Sequence, residues 1–294
     1  RLNSHHIVIS VGLFLVLMAG NSLSAQHLEN RQNGTVRNRG VIRFHSDTGT
    51  FKNGAPVTEF SNNVVEFRGT DNRFTDLNGA TGFSSAFGQD RVWRVPGLVR
   101  YIRGTGQQNL QARYYSDLEV ADSAGKLIPD SVFVGGSYTI AESGPRSYLG
   151  TFFYDGSAPQ VITQERGVTG PFDRYNNLTL LFSTKTVRDS DEVRMDGIFN
   201  SDAMSELFVE GQFTWGTSSF SRAPIRIRSN GLLTTGTSIS ELYADLDVLD
   251  GDLVVPDDSD TVKVMAFARL IVRDSDSARM FMGDSTRLEV YGDF

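Results

Sequence analysis

A short strand-like unit, Tyr115-Ser-Asp-Leu-Glu-Val120, is written three times in this chain, and that repetition limits what it can fold into. It returns as Tyr175-Asn-Asn-Leu-Thr-Leu180 and as Tyr243-Ala-Asp-Leu-Asp-Val248. Each copy has an aromatic at one end, two aliphatics two residues apart at the other, and polar residues between. Side chains alternate faces along a strand, so this period of two predicts a half-buried strand entered through a polar turn. A longer correspondence surrounds the first two copies. Gly104 matches Gly156, Gln108 matches Gln160 and Leu110 matches Ile162, after which extra residues around 168–173 delay the second tyrosine. A repeating unit several strands long, with an insertion between strands, predicts stacked supersecondary units joined by surface loops.

Other stretches agree. Gly40-Val-Ile-Arg-Phe44, Pro56-Val-Thr-Glu-Phe60 and Asn63-Val-Val-Glu-Phe67 each read as short strands after a turn residue. Pro224-Ile-Arg-Ile-Arg228 alternates with one basic face, and residues 268–272, 278–282 and 287–291 read as three closing strands split by Asp-Ser turns. Ser201 to Gly211 has the cap and stop of a helix, although a strand through Glu206-Leu-Phe-Val209 fits as well. Residues 71–89, rich in Gly and Phe, read as a loop packed by its own aromatics.

At the front, Ile7 to Ala19 is apolar, with Arg1, His5 and His6 before it and small residues leading to Ala25. This is the layout of a secretory signal peptide cleaved after Ala25, too short for a membrane span. Residues 26–96 then form an N-terminal β region with a polar lead-in, and 97–294 the repeat-containing region. The net charge is −7, one unit more negative without residues 1–25, which argues against nucleic acid as a partner. Cys is absent, which for an exported chain suits a bacterial protein. Only His27 and His45 follow the leader, so histidine metal clusters and Ser-His-Asp chemistry have almost no material.

The remaining motifs have plain structural readings. Gly104-Thr-Gly106 and Gly135-Gly136 open no helix after a strand, so they read as turns rather than phosphate loops. Asp189-Ser-Asp191, its relatives at 258–260 and 274–276, and the pairs Asp245/Asp247 and Asp257/Asp258 read as turns and strand surfaces. Calcium binding and paired-carboxylate hydrolysis are the sharper alternatives. Tyr114, Tyr115, Trp93 and Trp215 are either core aromatics or a sugar-stacking surface.

The order Gly-x-Gly-x-Gln-x-Leu, Tyr-x-x-Leu-x-Val, Lys-containing turn, as it stands from Gly104 to Gly136, with an insertion from Tyr154 to Ile198 and loosely from Tyr243 to Phe294, resembles repeats of bacterial secreted surface proteins of the Bacteroidota type. That resemblance implies a β-solenoid or strand-repeat stalk acting as an adhesin or a surface assembly.

The expected fold is therefore all-β, a right-handed parallel β-solenoid, with tandem β-sandwich modules as the alternative. The expected role is a secreted extracellular structural protein, not an enzyme, that assembles with itself through its terminal strands. Val36, Val41, Ile42 and Phe44 would form one end of that interface, and Leu288, Val290, Tyr291 and Phe294 the other. No cofactor and no metal is expected, nor insertion into a membrane once the leader is removed. The alternatives are a monomeric adhesin binding surface glycans and, third, a β-helix polysaccharide lyase or hydrolase.

Overall fold

The computed structural model describes residues 6–9, 14–17, 22–25, 27–30, 35–53, 60–61, 64–76, 95–129, 131–141, 144–163, 174–235, 239–256, 261–265, 268–273, 277–284 and 286–291. Among these every regular element is a strand, and the strands stack in parallel as a β-solenoid. Parallel pairing requires each strand to be left by a crossover, so consecutive strands go to different sheets, save Val132–Val134 and Tyr138–Ala141, which both pair with Tyr114–Ala121. Sandwich modules, which are antiparallel, do not fit these pairings. Residues 201–211 hold the strand Glu206–Val209 and no helix. Extended, that segment lays Leu207 and Val209 onto Ile225 and Ile227, all four buried.

The chain divides into two compact units, residues 1–146 and 147–294. In the first, the longest ladder runs Ser22–Ala25, Val41–Phe44, Val64–Phe67, Val95–Ile102 and Tyr114–Ala121. A second carries His6–Ile9, His27–Asn30, Thr50–Asn53 and Arg73–Asp76. A third carries Phe14–Leu17, Thr35–Asn38 and Phe60–Ser61. The backbone of the expected leader thus forms a further turn on this unit. The core is built of columns: Ile42, Val65, Val99, Leu118 and Tyr138 stack on one another, as do Phe44, Phe67, Tyr101 and Val120. All of these are buried, and the Phe44, Phe67 and Tyr101 rings follow at 5.4 and 5.2 Å between centroids.

In the second unit the chain from Asn177 onward visits three ladders in order. The first holds Thr151–Tyr154, Asn177–Leu180, Ile198–Ser201, Ser218–Ser221, Ile239–Leu242, Thr261–Val264 and Arg287–Val290. The second holds Gln160–Val161, Thr184–Val187, Glu206–Val209, Ile225–Ile227, Leu246–Val248 and Leu270–Val272. The third holds Glu192–Arg194, Gln212–Thr214, Gly231–Thr234, Gly251–Val255 and Ala278–Met282. Register advances from Leu178 to Phe199, Ser219, Ser240 and Val262, so a turn takes about 20–22 residues. Gly251, at φ 136°, lies under Gly231, where a Cβ would come within 2.2 Å of the Gly231 carbonyl oxygen.

The repeated tyrosines divide into two kinds. Tyr115, in the strand Tyr114–Ala121, and Tyr175, two residues before Asn177–Leu180, are buried where the chain enters the first ladder of their units. Tyr243 instead follows Ile239–Leu242 and is exposed, and its Leu246 and Val248 belong to the second ladder. The third copy keeps the strand alternation and loses the buried ring.

Candidate functional site

Tyr115 and Tyr175 sit in the same hydrogen-bonded device. The Gln111 N–H donates to the Tyr101 hydroxyl at 3.3 Å, and the Tyr115 hydroxyl donates to the Gln111 carbonyl at 2.8 Å. The two hydroxyls are 3.0 Å apart. Because the one Tyr115 proton goes to the carbonyl, Tyr101 must donate to Tyr115, and the ring closes. The second unit repeats it. Thr163 N–H donates to Tyr154 at 3.0 Å, Tyr175 donates to Thr163 C=O at 2.6 Å, and the hydroxyls lie 2.9 Å apart. Each ring satisfies both backbone polar groups of one loop residue from inside the core.

A buried lysine completes each copy. Lys126 Nζ donates to the Arg103 carbonyl, and Lys185 Nζ donates to Ser183 Oγ at 2.8 Å and the Gly156 carbonyl at 3.2 Å. Burial pulls both amines down to about 8. Their acceptors are mostly turn carbonyls, which an ammonium with three donors suits well. Gln108, also buried, donates to the Phe67 and Gly69 carbonyls, while Gln160 accepts from Gly156 N–H. These repeated polar residues hold turns in place.

The other sequence candidates are likewise occupied by the fold. Trp215 is buried, stacked on Phe199 at 5.4 Å, with its indole N–H donating to Ser240 Oγ. Tyr114 stacks on Phe133 at 4.1 Å. With Tyr115 in the core, these aromatics form no sugar-stacking surface, and Trp93 lies outside the described residues. Asp245 and Asp247 are clamped by Arg269 and Arg273, and Arg269 holds the Asp245 carboxyl below its ordinary range. Arg226 and Arg228 pair with Glu206 and Glu210. Asp191 N–H closes a turn onto Arg188. Among the described residues no group of three or more His, Asp or Glu is placed to hold a metal. No described helix is long and apolar enough to cross a membrane. Residues 257–260, 274–276, 77–94 and 164–173 fall outside the described residues.

What remains is the last turn, made of Leu270–Val272, Ala278–Met282 and Arg287–Val290. No described strand pairs on the far side of any of the three. Its core columns open abruptly. Val248 is 0 % exposed and Val272, stacked on it, is 41 %; Val255 is 1 % and Met282 is 42 %; Val262 is 1 % and Leu288 is 38 %. Tyr291 follows at 57 %. Leu288, Val290 and Tyr291 therefore lie together at this end, with Val272, Met280 and Met282, which alternation alone did not single out. Phe294 is outside the described residues.

In the first unit Ile42 and Phe44 are buried, because Ser22–Ala25 pairs on one side of their strand and Val64–Phe67 on the other. Val41 is half-buried, and Val36 belongs to Thr35–Asn38, covered by Phe14–Leu17. Scans against models of protein families, against curated proteins and against solved structures all gave no match for this chain.

Proposed function

We propose that the chain is a secreted structural subunit that assembles head to tail through its terminal strands. The observation that carries the reading is the last turn, where no described strand pairs beyond the three strands and Val272, Met282 and Leu288 are exposed. Unpaired strand edges are templates for further strands, and natural proteins cover or blunt them. Burying a Val, Leu or Met side chain contributes about 1.5–3 kcal/mol, so a layer placed here gains on all three ladders at once. The matching surface comes from leader cleavage after Ala25, which takes away Ser22–Ala25 and the two strands before it. The turn containing Leu28, Ile42 and Phe44 then becomes the head.

Deleting residues 287–294 removes the outermost strand of the first ladder. The truncated 26–286 chain is expected to keep its β-sheet circular dichroism and stay monomeric in sedimentation. Polymers from it equal to those of residues 26–294 would overturn the proposal.

A further inference from the structure

Both units send the chain through their ladders in the same order, first to second to third. The last turn therefore offers its strands in the order the first turn after Ala25 would receive them. In the whole chain that receiving place is filled by three strands from residues 6–9, 14–17 and 22–25. His6–Ile9 lies in parallel on His27–Asn30, Phe14–Leu17 on Thr35–Asn38, and Ser22–Ala25 on Val41–Phe44. The head thus accepts three parallel strands of four residues, one on each ladder. The tail has Leu270–Val272, Ala278–Met282 and Arg287–Val290 to give, in that order.

The geometry points to one register for this joint, resting on the head-to-tail reading above: Arg287–Val290 of one copy takes the place of Ser22–Ala25 in the next, setting Glu289 beside Arg43. Leu288 then lies on Ile42 and Val290 on Phe44, which continues both inward columns. The outward residues agree as well. In the second unit Glu241, Lys263 and Glu289 are register partners on successive strands, with Glu241 and Lys263 3.6 Å apart. In the first unit Arg43, Glu66, Arg100 and Glu119 are partners in the same way, Arg43 to Glu66 at 2.6 Å and Arg100 to Glu119 at 3.0 Å. Joined at Glu289 and Arg43, the two series make one ladder whose charge alternates at every step. Cross-strand neighbours of opposite charge stabilise a sheet and like charges oppose it. A slip of one residue would turn Glu289 towards the core, and a slip of two would take it off the charged row. Glu289 already accepts from Arg287 and Tyr291 on its own strand, and a carboxylate has lone pairs for a further donor.

The chain contains no Cys, so introduced thiols report this register directly. Residues 26–294 carrying Arg43→Cys are mixed with the same chain carrying Glu289→Cys and oxidised mildly. Adjacent paired strands bring Cα atoms within the range a disulfide spans. Covalent dimers on a non-reducing gel are expected, with at least about fivefold less product when Val41→Cys replaces Arg43→Cys. Equal yields from the two mixtures, or no cross-link between chains that co-sediment, would overturn the register and leave head-to-tail assembly standing. Absence of any association in the unmodified chain would instead overturn the assembly reading itself.

Discussion

At the residue scale, the repeat encodes buried polar networks as much as apolar columns. The Tyr101–Tyr115–Gln111 ring makes a concrete demand. Tyr101→Phe leaves the Gln111 N–H and the Tyr115 oxygen without their partner, and a buried group stranded in this way costs about 1–3 kcal/mol. Tyr154→Phe does the same at Thr163. Urea unfolding of each variant checks this, and an unchanged midpoint would mean that the rings contribute nothing. The titrating groups predict a pH profile. An unfolded lysine releases its proton near 10.5 and folded Lys126 near 8, so between those values the unfolded chain binds more protons and stability rises with pH. Lys185 acts in the same direction. Tyr101 moves the other way, pushed up to about 12 by burial, so its contribution is complete below pH 10 and lost as pH rises towards 12. Resistance to urea should therefore climb from pH 8, crest near pH 10 and fall beyond. Lys126→Met should flatten the climb, and a profile identical to the parent would contradict the burial argument. Of these groups, Gln108 and Gln160 were legible as a repeat at an offset of 52 residues, and Tyr115 and Tyr175 at one of 60. Their pairing into closed rings was not, since it depends on two strands and a loop meeting in space.

At the element scale, alternation named most strands and left their partners open. Val41–Phe44, Val64–Phe67, Ile225–Ile227 and Arg287–Val290 are where period two puts them. Ser201–Gly211 was ambiguous because Ser and Gly suit a helix's ends, whereas Leu207 and Val209 suit a strand. The ladder decides it, because neighbouring turns offer hydrogen bonds and buried columns only to an extended segment. Tyr243 shows the opposite limit: a matching hexapeptide sits one ladder away from its counterparts, because motif spacing does not record how many corners the chain has turned. Gly251 is a place where backbone alone decides. Its positive φ is strained for any residue with a Cβ, costing about 1–3 kcal/mol, and the contact with the Gly231 oxygen adds to it. Gly251→Ala should lower the thermal midpoint by several degrees, and no change would indicate that this corner relaxes freely.

For the molecule as a whole, Leu288, Val290 and Tyr291 lie in the last described turn, whereas Ile42 and Phe44 lie in the core of the first unit. Leu288, Val290 and Tyr291 were legible as the last apolar alternation. Their neighbours Val272, Met280 and Met282 emerge only once three ladders are seen to finish in one turn. Ile42 and Phe44 are core residues with Ser22–Ala25 paired on their strand, so the proposed head requires removal of residues 1–25. The direct measurement is sedimentation velocity of residues 26–294 against the whole chain, both over a concentration series, with electron micrographs of the same samples. Species growing with concentration for residues 26–294, and a monomer for the whole chain, are the predicted result. A residue 26–294 chain that stays monomeric at every concentration would contradict the account.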